Sequence, residues 1–289
     1  MSSNRILRHL AAVLATLAVL ACSKPVPVHP ALWQVDGPHG QRAWLFGTIH
    51  ALPDPVDWHS PPIDAALAAS DRMVVEVARI EEAGPVFARL SRSTPQPPAR
   101  ERITPTLRPA FDRLLDAHQL AASQLDPLET WAVALMLQQA LARDADIDSA
   151  HGVDRALVAS YPRRIEELEG ATRQLAIFDS LAEADQRALL ESVVRDSSAS
   201  SALDDAMTRG WAKGDLSPIA AETRRGFMAD PELRAALLTN RNRAWSQRLA
   251  QLIQRGARPF VAVGAAHMTG PDGLPALLTQ QGFVVRRIQ

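Results

Sequence analysis

Cysteine is all but missing from this chain: among 289 residues there is one, Cys22. No disulfide can form within the mature protein, so stability has to come from a hydrophobic core. Cys22 stands at what reads as a cleavage junction near the N-terminus, which also excludes a cysteine nucleophile. An excess of charge of either sign is absent too. Lys and Arg number 31 against 32 Asp and Glu, for a formal net charge of -1. No tract is dense in Lys or Arg, which argues against a nucleic-acid partner. No apolar run is long enough to make a comfortable membrane span. The Gly-x-Ser-x-Gly elbow, the His-Glu-x-x-His helix, the Walker loop and the dinucleotide glycine fingerprint are all missing, and with them the hydrolases, zinc peptidases, nucleotidases and dehydrogenases they mark.

What is present begins with apolar material for a sizeable core: 47% hydrophobic residues beside 22% charged ones, the balance of an ordinary globular protein. The length suits one large α/β domain, or a core with an inserted subdomain. At the start, Arg5 and Arg8 precede an uncharged apolar stretch, Leu10 to Ala21. Its proportions are those of a signal peptide over residues 1–21. Val19-Leu20-Ala21-Cys22 resembles a bacterial lipobox, with small Ala21 at the cleavage position and Leu20 less usual at its own. The expectation is an exported protein on the periplasmic side of the envelope, lipidated at Cys22, whose only membrane contact is that anchor. Ser23 after the cysteine suits outer-membrane sorting. The competing reading makes Cys22 a small apolar residue of the signal. Residues 22–30 are Pro-rich and read as a tether, leaving 31–289 as the folded domain.

Along that domain, Leu32–Val35 and Ala43–Phe46 flank the turn residues Asp36-Gly37-Pro38-His39-Gly40, a hairpin signal. A short helix is expected over Ile63–Ala69 and a buried strand over Met73–Val77. From about 104 to 255 the pattern is helical, with apolar residues at three- and four-residue spacing in Phe111–Leu120, Trp131–Leu141 and Leu181–Val194. One strand, Arg164–Leu168, interrupts it. Phe260–Val263 is a second buried strand, a helix covers Leu274–Leu278, and Phe283–Ile288 closes the chain as a strand. The pattern predicts an α/β fold with a mixed central sheet, built from N- and C-terminal segments, flanked by helices and carrying a long helical insertion.

Two Gly-x-x-His units, Gly47–His50 and Gly264–His267, each follow an apolar strand at once. A glycine there lets the chain turn sharply and lets other backbone approach. The histidine then lands beyond the strand's C-terminal end, where open α/β sheets bind ligands. Neutral imidazole ligates borderline metals and acts as a base near neutral pH. Taken singly, each histidine reads more economically as a satisfied core or loop residue; the repeated setting is what shifts the balance. Glu76 sits in an apolar run filling both strand faces, so a buried carboxylate with a partner is expected. Arg241 and Asn242 stand at the N-terminal end of the stripe Trp245, Leu249, Leu252 and Ile253, able to reach inward, whereas Arg243 and Arg248 read as a solvated face. His151 precedes Gly152-Val153-Asp154 at a helix start and could line a cleft.

Together, Leu45-Phe46-Gly47-Thr48-Ile49-His50, Ser70–Glu76, Arg241-Asn242-Arg243-Ala244-Trp245 and Val263–Leu274 resemble the TraB/GumN family, which includes the Tiki proteases and is similar in fold to the erythromycin esterases. The resemblance runs from about Trp33 to Ile288. It implies a mixed sheet flanked by helices, with both histidines, the glutamate and the Arg-Asn pair around one cleft. It adds Asp154, in a Gly-x-acid unit, and Glu169, at a strand end, as cleft residues. Tiki-type members are divalent-metal-dependent proteases. Two departures stand out: Asn240 replaces a glutamate common before Arg-Asn, and Ala78 stands where an acidic residue often follows the strand glutamate. Each removes a carboxylate.

The leading expectation is a metal-assisted hydrolase cutting a peptide or protein substrate. His50 and His267 would hold a divalent ion of the Mn or Co type. Glu76 would be a third ligand or a general base, Arg241 would steady an oxyanion, and Asn242 would orient substrate or a ligand. The alternative is a non-catalytic envelope lipoprotein with a ligand- or partner-binding cleft. A third reading is a metal-free esterase with a histidine base.

Overall fold

A computed structural model of the chain describes residues 26–92, 95–145, 147–197 and 200–289. The expected signal peptide, Cys22 and the first residues of the tether lie outside the described residues. The strands are β1 (Val26–Pro27), β2 (Leu32–Asp36), β3 (Arg42–Thr48), β4 (Val56–Asp57), β5 (Arg72–Val75), β6 (Arg164–Glu167), β7 (Pro259–Gly264) and β8 (Val284–Arg287). Six of them form one sheet in the order β6-β5-β7-β3-β2-β8, while β1 and β4 pair separately. β6, β5, β7 and β3 are mutually parallel. β2 runs antiparallel to both β3 and β8. The sheet is therefore mixed, drawn from both chain ends, and completed at one edge by β6 from within the helical stretch.

β7 is buried along its whole length and β3 everywhere but Arg42, as expected for central strands covered on both faces. Period-two alternation divides their side chains. Trp44, Phe46, Met73, Val75, Phe260 and Ala262 face one side, where they meet Trp58, Ile63, Leu157 and Trp211. Ala43, Leu45, Val74, Val261 and Val263 face the other, under Trp245, Leu249 and Ile253 of the helix Asn240–Gln254. The 245, 249 and 253 spacing keeps these three on one stripe. A third core belongs to the helical lobe. There Phe111, Leu114, Trp131, Leu137, Leu189 and Leu190 are buried, carried by Arg108–Ala117, Thr130–Asp144 and Glu183–Asp196.

Two expectations shift. The described part of the tether is docked: Val28 N–H donates to Asp57 O (2.9 Å), His29 N–H donates to Ala212 O (2.7 Å), and Val28 and Pro30 are buried. The strand expected over Met73–Val77 ends at Val75. Glu76 O accepts from the N–H groups of Glu169 (3.2 Å) and Gly170 (3.0 Å), so the chain bends out of the ladder at the glutamate.

Candidate active site

Four parallel strands end on the same side of the sheet, and the chemistry-bearing residues follow them. His50 comes two residues after β3, Glu76 directly after β5, Glu169 two residues after β6, and His267 in the turn Ala265–Met268 after β7. The C-terminal edge of a parallel sheet collects such residues because loops there converge from several strands. The helix Asn240–Gln254 brings Arg241 and Asn242 to this edge, and the helix Val153–Ser160 brings Asp154.

Glu76 is the hub, and its residue is only 6% exposed. One oxygen, Oε1, accepts from Gly264 N–H (2.8 Å) and lies 4.0 Å from His50 Nε2 and 3.8 Å from His267 Nε2. The other, Oε2, accepts from Arg241 Nη2 (2.6 Å) and Gln174 Nε2 (3.0 Å). Burial opposes ionisation here. Positive charge on His267, once acid protonates it, and on His50 and Arg241, together with the Gly264 N–H, outweighs that and holds its pKa down to about 2.

The two histidines are held in the same sense by different partners. His267 Nδ1 meets Asn242 Oδ1 at 2.5 Å, while Asn242 Nδ2 donates to the Asp272 carbonyl at 2.8 Å. A carbonyl can only accept, so the amide nitrogen faces Asp272 and Oδ1 accepts from His267 Nδ1–H. That fixes the tautomer and turns the Nε2 lone pair toward Glu76. His50 Nδ1 lies 3.3 Å from Asp154 Oδ2, and its Nε2 also faces Glu76. Here the partner is a carboxylate, which favours the charged ring. Burial works against the proton on His50. The hydrogen bond to Asp154 and the charge on Glu76 prevail, and its pKa rises to about 9. Since the His50 side chain is 59% exposed, solvent screens part of this shift. Burial pushes His267 the other way, to about 3; Glu76 opposes that and the charges of Arg241 and His50 reinforce it. One ring is therefore charged and open, the other neutral and enclosed.

Arg241 clamps the floor. Its Nε and Nη2 donate to the two oxygens of Glu169 (3.0 and 2.9 Å), Nη2 also to Glu76, and Nη1 to Leu237 O (3.0 Å). Nη1 further approaches His267 Nε2 at 3.4 Å. These contacts engage all five guanidinium N–H groups. For the expected oxyanion role this leaves one N–H of Nη1, the one that approaches His267 Nε2. Asn242 is fully buried and orients His267, the ligand-orienting form of the role expected for it. Arg248 is corrected, since its Nη1 donates to the Glu167 and Leu168 carbonyls (2.7 and 3.1 Å) instead of standing free. His151 points its Nδ1 at the carbonyls of Leu52 and Pro53 (3.2 and 2.9 Å) and supports the loop behind His50.

The glycines serve close approach. A Cβ on Gly264 would lie 3.0 Å from His50 Nε2 and 3.4 Å from Glu76 Oε1, filling the gap between them. A Cβ on Gly47 would stand 3.0 Å from Ala265 Cα, against the turn that carries His267. Two participants escaped the sequence reading. Gln174 reaches Glu76 from the helix Gly170–Asp179, and no local pattern signals it. Trp245 tilts over the His267 ring with centroids 4.4 Å apart and donates to Glu169 Oε1 at 3.1 Å. Its position four residues after Arg241 was a usable signal.

Residues 31–287 match the model of the TraB/PrgY/gumN family. The chain belongs to that family. No curated protein and no solved structure matches it. Of the family departures, Asn240 is exposed. Ala78 has its N–H satisfied by Glu167 Oε1 at 2.8 Å, so a carboxylate reaches that spot from β6.

As a donor set, His50 Nε2, His267 Nε2 and Glu76 Oε1 suit a borderline divalent cation. The site holds three carboxylates and one guanidinium: Glu76 and Glu169 pair with Arg241, and Asp154 pairs with His50. With both imidazoles neutral, the site keeps two negative charges for a divalent ion to balance. Among the described residues, the acid and histidine ligand atoms that all lie within 4.8 Å of one another are those of Asp185, Asp230 and Glu232. That group is partly a helix cap, since Asp230 Oδ1 accepts from Glu232 N–H and Leu233 N–H (2.8 and 3.0 Å). Hollows of about 620 and 270 Å³ lie elsewhere, in the helical lobe beside Leu114 and Leu141 and beneath Tyr161. At the His50 edge the His50 ring is exposed, while the side chains of Glu76, Glu169 and His267 are buried.

Proposed function

We propose that the protein is a divalent-metal-dependent hydrolase of the bacterial envelope, cutting peptide bonds and anchored by lipid at Cys22. One observation carries the chemical part. Two histidines from opposite ends of the chain are each tied back through Nδ1, and each turns Nε2 to the same oxygen of Glu76. Hydrogen bonds of this kind, from Nδ1 to a carboxylate or an amide oxygen, orient metal-ligating imidazoles. His50, His267 and Glu76 hold the ion, which is of the Mn or Co type. Once bound, it supplies Lewis acidity toward a carbonyl and acidifies water.

The chain's own groups divide the remaining work. Asn242 fixes the His267 tautomer, and Asp154 fixes His50. Arg241, Gln174 and Gly264 N–H pin Glu76 as an anion in one orientation. In the metal-free protein His50 carries a proton at neutral pH, and an ion bound at its Nε2 would displace that proton. A peptide or protein substrate is what the likeness to the Tiki proteases suggests, and the exposed His50 ring gives the cluster its opening to solvent.

The test is metal analysis of the purified mature chain, with cleavage of peptide libraries before and after chelation and in His50→Ala. Bound Mn or Co and activity lost in both treatments support the proposal. A metal-free chain, or a His50→Ala variant as active as the wild type, sinks it. A second reading, a non-catalytic binding protein, draws on the closed Glu76–Arg241–Glu169 network, which is satisfied by protein groups alone. On that reading the histidine variants would keep the cellular phenotype.

A further inference from the structure

β2 runs antiparallel to β3, with Leu32 opposite Phe46. The chain therefore enters the sheet at the end that carries His50. Just upstream, His29 N–H is bound to Ala212 O, and the adjacent Trp211 donates through Nε1 to Gly47 O at 2.8 Å. Val26 pairs in parallel with Val56, at the end of the short loop that leaves His50. The N-terminal stretch thus joins the fold on the rim of the active edge. The opposite end of the sheet carries the turn between β2 and β3, where His39 is exposed.

Exposed apolar side chains follow the same division. Four large ones stand out among the described residues: Val26, Ile80, Val284 and Ile288. Val26 is beside the loop after His50, Ile80 follows Glu76 beyond β5, and Ile288 N–H donates to Leu32 O. All three belong to the active end. Val284, opposite Asp36, is at the other.

Cys22 precedes Val26 by four residues. Fully extended, that span covers at most about 14 Å. A domain of this length has a radius of gyration of about 18 Å and is roughly 45 Å across. The leash is short against the body it holds, so the end where it attaches stays at the surface.

We infer that the acylated protein keeps the His50 end of its sheet against the bilayer, and that its substrate is a peptide segment lying close to the membrane surface. This rests on the envelope reading above and deepens it. Such an arrangement lets the exposed His50 edge meet chains that emerge from the bilayer and excludes substrates in the bulk compartment by distance.

The experiment uses full-length protein, exported and acylated in a Gram-negative host and reconstituted in vesicles bearing a headgroup-attached quencher. Cys22 is the only native cysteine, so after acylation an introduced thiol is unique. Asp54→Cys places a fluorophore on the exposed loop after His50, and His39→Cys places one at the far end. Strong quenching at 54 with little at 39 is expected. A Gly/Ser insert of about 20 residues before Val26, reaching about 25 Å as a coil, should cut the quenching at 54 several-fold. Equal quenching at both sites, or more at 39, overturns the inference while leaving the anchor intact. A chain that is not acylated and not membrane-bound overturns both the inference and the envelope reading.

Discussion

Replacing Arg241 by Met removes the cation while leaving a stem of similar length to pack over Trp245, where the guanidinium carbon now stands 4.6 Å from the ring centroid. The cost follows from what is left behind. The side chains of Glu76 and Glu169 are 7% and 5% exposed, and both lose their charged partner at once. Removing one member of a buried ion pair typically costs about 3–5 kcal/mol. One cation serving two carboxylates puts this variant at the upper end, a third or more of a typical domain stability of roughly 5–15 kcal/mol. Urea unfolding followed by tryptophan fluorescence measures the loss, with an unchanged slope showing that the native state is intact. The pH dependence sharpens the test. In the wild type, Glu76 has its pKa lowered to about 2, so its contribution is present above its unfolded value and lost as pH falls through 2. In the variant, burial is no longer countered by Arg241, the carboxyl protonates at higher pH, and its desolvation cost then disappears. The deficit against wild type should therefore shrink between pH 7 and pH 4.5. A loss below about 1 kcal/mol at neutral pH, or a deficit that does not change with pH, would refute the clamp.

Gly264→Ala places a methyl group 3.0 Å from His50 Nε2; calorimetric titration with Mn²⁺ should show at least a ten-fold weaker complex, and unchanged affinity would mean that no ion sits there. Asn242→Leu frees the His267 ring, and loss of such an outer partner typically weakens metal binding by about 10–100-fold, measurable in the same titration; Asn242→Asp, which keeps an acceptor at Nδ1, should lose less. Because the His50 pKa is raised to about 9, an ion binding through its Nε2 must displace a proton at pH 7, so affinity should climb from pH 6 and level off as pH approaches the pKa of the ring. Calorimetry in buffers of different ionisation enthalpy would detect that proton, and His50→Ala should release none. In the metal-free protein, the raised His50 pKa gives stability that is full below 6.5 and lost as pH rises through 9. The His267 pKa, lowered to about 3, gives stability present above 6.5 and lost as pH falls toward 3. Thermal midpoints should peak near neutral, and His50→Ala should flatten the alkaline limb alone.

Much of this site could be read from local pattern. Apolar runs before Gly47 and Gly264 mark central strands, and their ends place His50 and His267 on one edge of a parallel sheet. Glu76, in a run with no exposed face, had to be buried and partnered. The resemblance added Asp154 and Glu169, and the structure brings both to within hydrogen-bonding reach of the histidine or the arginine. What the sequence left open was how each group is held. It shows the Arg241 guanidinium but not the acceptors around it. For Asn242 it left substrate or a ligand as alternatives, because nothing local reveals Asp272 O and His267 Nδ1 on either side of its amide.

Periodicity, the glycine–histidine spacing and the placing of one carboxylate in an apolar run are properties of short segments, and they are determined by sequence alone. They settle the α/β class, the buried strands and the arrival of His50, Glu76 and His267 at one sheet edge. The Gln174 contact, the Gly264 N–H on Glu76, the opposite protonation of two similar histidines and the docking of the N-terminal stretch beside His50 join residues from distant parts of the chain. Each depends on distance and dielectric across an assembled interior, and those quantities exist only once the sheet has closed around Glu76.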